Sequence, residues 1–212
     1  MRQHLRLYPV AVAAVLVVAT PIHCPAQSSE QRLATDLENA REEVEFAHAQ
    51  LVITIESLNE LQNRESDDLK PYYDQFAASI EETRKAGETT RRRYEALSAE
   101  RKNYFAAWQN DLNGMAGKEA HRASEKRFHA VEKEYQDALK HLELANEVFA
   151  PLLTELDAFK TALAKDLSPA GLKALGKSLD QANKTLANSQ APVQNALISF
   201  NALTRYWIPR TE

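Results

Sequence analysis

Glu45-Phe46-Ala47-His48 places a glutamate and a histidine three residues apart, a spacing that metal-binding helices use. Di-metal bundles require two such pairs and two further glutamates, all facing inward. Here no second Glu-x-x-His occurs, and the neighbouring apolar positions Val44 and Ala47 turn Glu45 outward and leave His48 at the flank. His121, His129 and His141 share a later segment, with Glu125 and Asp137 each four residues before a histidine. That spacing is the one surface helix pairs use. His121 falls on the backward extension of the apolar seam, close to Gly117, where a helix frays. Cys24 is the single cysteine, and the dispersed histidines offer no Ser-His-Asp or Cys-His arrangement. Gly114 and Gly117 lack the following Lys-Ser/Thr pair of a phosphate loop. The residues therefore assign no catalytic, cofactor or metal site, and a non-enzymatic chain without a cofactor is expected.

Two charged features remain. Arg101 occupies a seam position, so it must reach the bundle edge or pair with a carboxylate. Arg91-Arg92-Arg93 is a short basic run in a chain of net charge -4. A run of that length reads as a solvated helix face, and the acidic balance argues against nucleic acid as a partner.

The elements that carry these residues are helices. Gly is scarce at five residues, and five of the eight prolines lie beyond residue 26, which leaves few turn signals for strands. Ser28 and Gln31 stand at capping-box spacing ahead of a first seam, Leu33, Leu37, Ala40, Val44, Ala47, Leu51, Thr54, Leu58 and Leu61. Steps alternating four and three mark a helix facing other helices. After a break with cap candidates Ser66, Asp67 and Asp68 and with Pro71 in the first turn, a second seam runs from Leu69 through Phe76, Thr83, Gly87, Thr90, Leu97, Arg101 and Tyr104 to Trp108. Asn113-Gly114 and Gly117 form the next break, with Gly114 suited to a left-handed residue. A third seam runs from Phe128 to Leu163. Ser168-Pro169 opens a fourth, from Leu172 to Trp207, where Trp207 either continues the core or meets a membrane interface with Tyr206. Pro151 and Pro192 should each kink or break a helix.

This pattern predicts an all-α fold, an elongated antiparallel bundle of about four long heptad-patterned helices over 29-63, 68-113, 118-166 and 169-207, forming one domain over 27-212. A helical hairpin that pairs with a second copy through the same seams is the alternative assembly. Folding the chain at its breaks brings Ala47, Gly87, Ala145 and the Ser189 to Ala191 region into one layer. That layer of small residues predicts a narrow waist where the rod can bend or open.

Residues 1-26 read differently. Arg2 and Arg6 precede an uncharged apolar run from Pro9 to Ile22, too short to cross a bilayer comfortably. The segment reads as a secretory signal. Small residues at Cys24 and Ala26 favour cleavage before Gln27, which removes the cysteine and moves the net charge from -4 to -6 with the loss of Arg2 and Arg6. A lipid-modified Cys24 is the rival, although His23 and Pro21 stand where a lipid-attachment site wants small and Leu-like residues.

Thr90-Arg91-Arg92-Arg93-Tyr94, Phe105-Ala106-Ala107-Trp108-Gln109-Asn110-Asp111-Leu112 and the segment from Phe149 to Leu167 resemble a bacterial family catalogued as a domain of unknown function, number 2959. The resemblance extends through Ser168, where the family tends to have Asn. Ala164-Lys165-Asp166 stands in place of the family's Lys-His-Asn run. The resemblance implies an exported helical protein, in a family with many lipoproteins, and implies no activity. Together these readings predict a periplasmic cell-envelope protein that scaffolds or binds other envelope proteins. A carrier or holdase-type chaperone for an apolar ligand or client is the alternative, and membrane contact is expected only if Cys24 is lipidated.

Overall fold

A computed structural model describes residues 25-64 and 68-206, with side chains from residue 31 onward. Of these described residues 92% are helical and none lies in a strand. The elements are α1 (Pro25–Gln62), α2 (Lys70–Asn113), α3 (Lys118–Lys165), α4 (Pro169–Ala174) and α5 (Gly176–Thr204). At 1.5 Å per residue, α1, α2 and α3 are roughly 55 to 75 Å long. The helix α1 packs on α2 and α5, and α3 packs on α2 and α5, which closes an antiparallel square. One end of the rod holds the α2–α3 turn, and the other holds the α1–α2 connection and α4. The expected signal at 1-26 with Cys24, the cap candidates Ser66 and Asp67, and Trp207 lie outside the described residues or at their margin. Among the described residues no helix is long and apolar enough to cross a membrane.

The heptad seams are the core. All nine α1 seam residues are buried, and so is every α3 seam residue except Phe149. The α2 seam from Leu69 to Leu97 is buried except at the half-buried Tyr73, Gly87 and Tyr94, after which burial moves on by one residue to Phe105 and Leu112. An α-helix drifts by about 20° per heptad against a strict seven-residue repeat, and toward the end of α2 that drift displaces the buried face.

The helix ends depart from the expected ones. The first helix starts at Pro25, three residues ahead of the expected start at Ser28. Leu69 is the residue before α2, and Asp68 reaches the first turn by accepting from the Lys70 N–H at 3.2 Å. Gly114 is right-handed, at φ -83°, and its N–H donates to Asn110 O at 3.2 Å. Ser168 behaves as expected: its Oγ accepts from the Gly171 N–H at 3.2 Å, with Pro169 in the first turn.

The fourth long helix is two helices. A turn at Leu175 separates α4 from α5, closed by the Leu175 N–H to Leu172 O bond of 3.1 Å. Neither expected proline break occurs: α3 continues through Pro151 and α5 through Pro192. Glu147 and Asn188, whose carbonyls lose their helical donors, both belong to exposed positions, where water can replace the missing bond.

Candidate functional site

The middle of the rod is its least regular part. Two separate apolar clusters make the core: one contains Val44, Leu97, Tyr135, Ala145, Val193 and Phe200, the other Leu51, Ile55, Phe76, Ile80, Leu152 and Ala182. Between them the packing residues become small or polar. Val44, Ala47, Gly87, Thr90, Ala145, Asn146, Phe149, Val193 and the half-buried His48 line a half-open cavity of about 20 Å³, enough for one water molecule.

The folding of seams onto one another is borne out for three of the four small residues. Ala47, Gly87 and Ala145 share this layer, while Val193 takes the fourth corner in place of the Ser189 to Ala191 region. Ser189 is buried one turn away, where its hydroxyl donates to Leu186 O at 2.6 Å. The helices do not simply draw together at this point. Phe149 lays its ring over Gly87, so that a Cβ built on Gly87 would stand 2.6 Å from Phe149 Cε1.

Toward the α4 end, the polar layer continues as paired hydroxyls. Thr54 Oγ1 and Thr83 Oγ1 are 2.7 Å apart, and each is 3.0 Å from the Gln50 carbonyl. Ser57 and Ser79 hydroxyls meet at 3.1 Å, and the Asn59 and Asn183 amides bond across α1 and α5 at 3.1 Å. These groups satisfy one another, as buried polar atoms must.

Charged side chains tie the helices from outside. Arg93 donates to Glu43 at 2.8 Å and to Asp36 at 3.2 Å, joining α2 to α1. Arg84 grips Asp157, and Lys160 reaches Glu81 at 2.8 Å, joining α2 to α3. The Arg93 end of the basic run is thus an interhelical clamp, while Arg91 and Arg92 are exposed as expected. Glu100 lies near Asp36, and its carboxyl is raised above the usual range, first by burial and then by that second carboxylate. The Tyr135 hydroxyl donates to Leu97 O at 3.1 Å. Burial, with Glu100 and Asp36 nearby, pushes its ionisation well above the usual tyrosine value.

The other sequence-derived candidates disperse. Glu45 is exposed, with its carboxylate taken by Arg41 at 3.2 Å, and His48 faces the cavity instead. His121 lies 4.0 Å from Glu125, His129 is exposed, and His141 bonds Ser199 of α5 at 2.8 Å rather than Asp137. Arg101 reaches the bundle edge and faces Glu132 at 3.8 Å. Among the described residues no group of three or more His, Cys, Asp or Glu side chains converges as metal ligands would. The aromatic motif builds one end of the rod: Phe128 meets Phe105 and Trp108 edge-on, Tyr135 meets Phe105 edge-on, Phe105 and Trp108 stack, and the Trp108 indole donates to Ser124 at 3.1 Å. Sequence reasoning missed the role of His48, because only the register of α3 and α5 reveals what its ring faces.

The family model described as "Protein of unknown function (DUF2959)" matches residues 27–206. The chain belongs to this family. The match starts at the residue expected to follow the cut and covers nearly all of the helical bundle, well beyond the stretch from Thr90 to Leu175 that carried the resemblance. Residues that carried it hold the bundle of this family member together: Thr90 lines the waist, Arg93 clamps α1, and Phe105 and Trp108 close one end. No curated protein matches the sequence.

Proposed function

We propose that this member of the family is a non-enzymatic cell-envelope protein, exported with cleavage before Gln27, that scaffolds other envelope proteins along its outer faces. The observation that carries the reading is the contrast between inside and outside. A closed rod of four long helices keeps an interior space for only about one water at its waist. The outer faces of α1, α2 and α3 carry dense charge, α5 carries none from Thr185 to Thr204, and Phe46, Ile53 and Ile198 stand exposed among these faces. With so little room inside the waist, the charged outer faces are the surface left for contact with folded partners. The start of the family match at Gln27 supports treating 1-26 as a separate leader.

A carrier or holdase is the second reading. It draws on the division of the core into two clusters, which offers a place for the bundle to part around an apolar client. The test is a photo-cross-linking residue placed in turn at Phe46, Ile53 and Ile198 in intact cells, with products identified by mass spectrometry. The scaffold reading expects the same discrete envelope protein from at least one position. Cross-links only to lipid or to many unrelated unfolded chains would favour the carrier.

A further inference from the structure

Among the described residues, His48 Nε2 is a buried side-chain nitrogen with no hydrogen-bond partner. It belongs to the lining of the cavity at the waist, where α1 and α2 meet Ala145, Asn146 and Phe149 of α3 and Val193 of α5. A neutral imidazole is tolerable there. Its unprotonated nitrogen needs one donor, and a single water in a space of about 20 Å³ can supply it.

A protonated ring has a second N–H and a unit charge; Thr90 and Asn146 in the lining can accept an N–H, but no carboxylate lines the cavity to meet the charge. On α1 the nearest acid is Glu45, held by Arg41 at 3.2 Å. On α2 the charged groups flanking Gly87 and Thr90 are Glu88 and Arg91, both exposed, with Arg91 paired to Glu95 at 3.0 Å. On α3 they are Glu143, which is bonded to Tyr94, and Glu147, which is exposed. From Thr185 to Thr204, α5 carries no ionisable side chain at all. None of these acids lines the cavity.

We propose that the waist is a proton-operated joint: protonating His48 places an unpaired charge between two separately packed cores, and α1 parts from α5 there while both cores stay folded. The inference goes beyond the scaffold reading and does not depend on it. Burial alone holds the His48 ring below the ordinary histidine value, with no charged neighbour contributing. For a histidine depressed in this way, the folded state gains full stability above the free value of about 6.5 and loses it as pH falls through the window beneath.

Hydrogen exchange on the intact protein at pH 8 and at mildly acidic pH, corrected for intrinsic exchange, tests the joint. Wild type should lose protection selectively in segments 44-51 and 189-196, by up to about tenfold per pH unit for a single proton. His48→Gln and His48→Leu should both abolish that selective loss. A second readout needs no variant: the His48 ring titration followed by NMR should share its midpoint with the loss of protection. Unchanged protection in wild type, the same loss in both variants, uniform loss along the rod, or a titration midpoint at or above the free histidine value would each overturn the proposal.

Discussion

Gly87 shows how one residue can be fixed by its neighbours rather than by its own backbone. It is helical, no described glycine takes a positive φ, and a helix interior disfavours glycine by about 1 kcal/mol relative to alanine. What requires it is Phe149, whose ring occupies the space a side chain would need. Gly87→Leu should therefore destabilise the protein by roughly 1 to 3 kcal/mol through overpacking, read as a lower denaturant midpoint at unchanged slope. A stabilised variant would mean that the layer is open. The hydroxyl pair nearby makes a second prediction. Thr83→Val removes one partner of a satisfied set and should cost about 1 kcal/mol, whereas Thr54→Val with Thr83→Val should cost no more than the single change, since both positions are then apolar. Denaturant melts of the three variants check it. That Ala47, Gly87 and Ala145 share a layer was legible from heptad positions and break points alone. Phe149 was not, since one seam position away from the layer tells nothing about which way a ring turns.

At the scale of elements, the seams carried most of the information because burial and periodicity are the same fact in a bundle. The split between α4 and α5 was hidden for that very reason. Leu172, Leu175 and Leu179 keep perfect heptad steps across the turn, so the pattern runs through a break in the helix. Gly176 was the one local sign, and it packs beside Gln62 at the end of α1, where a Cβ would sit 3.3 Å from Nε2. The two internal prolines stop neither helix, since solvent can serve the carbonyls they leave without a donor. The Ser168 cap gives this region its prediction. Ser168→Ala should lower stability by about 1 kcal/mol in denaturant melts, the typical loss for a cap whose side chain accepts a first-turn N–H. Gly171→Ala should cost more in the same assay, because its Cβ would meet the Asp166 carbonyl oxygen at 2.2 Å, and backbone cannot move aside as a flexible side chain can.

For the whole molecule, the fold was readable and the role was not. Long helices and antiparallel packing follow from the heptads, but partners are chosen by surface charge patterns that a single chain does not decode. Export is proposed from residues 1-26, and intact-mass analysis of the protein from its native cell checks it. A chain starting at Gln27 with no acyl group is expected, and a lipidated Cys24 would move the protein onto a membrane surface. The proposed scaffold role needs a rod that stays closed and works through its outside. A dye that fluoresces in apolar surroundings, added to the native protein near neutral pH, tests for this. A scaffold should give fluorescence no higher than that of a well-packed control protein. Strong, saturable fluorescence displaced by an apolar ligand would contradict it and establish a carrier.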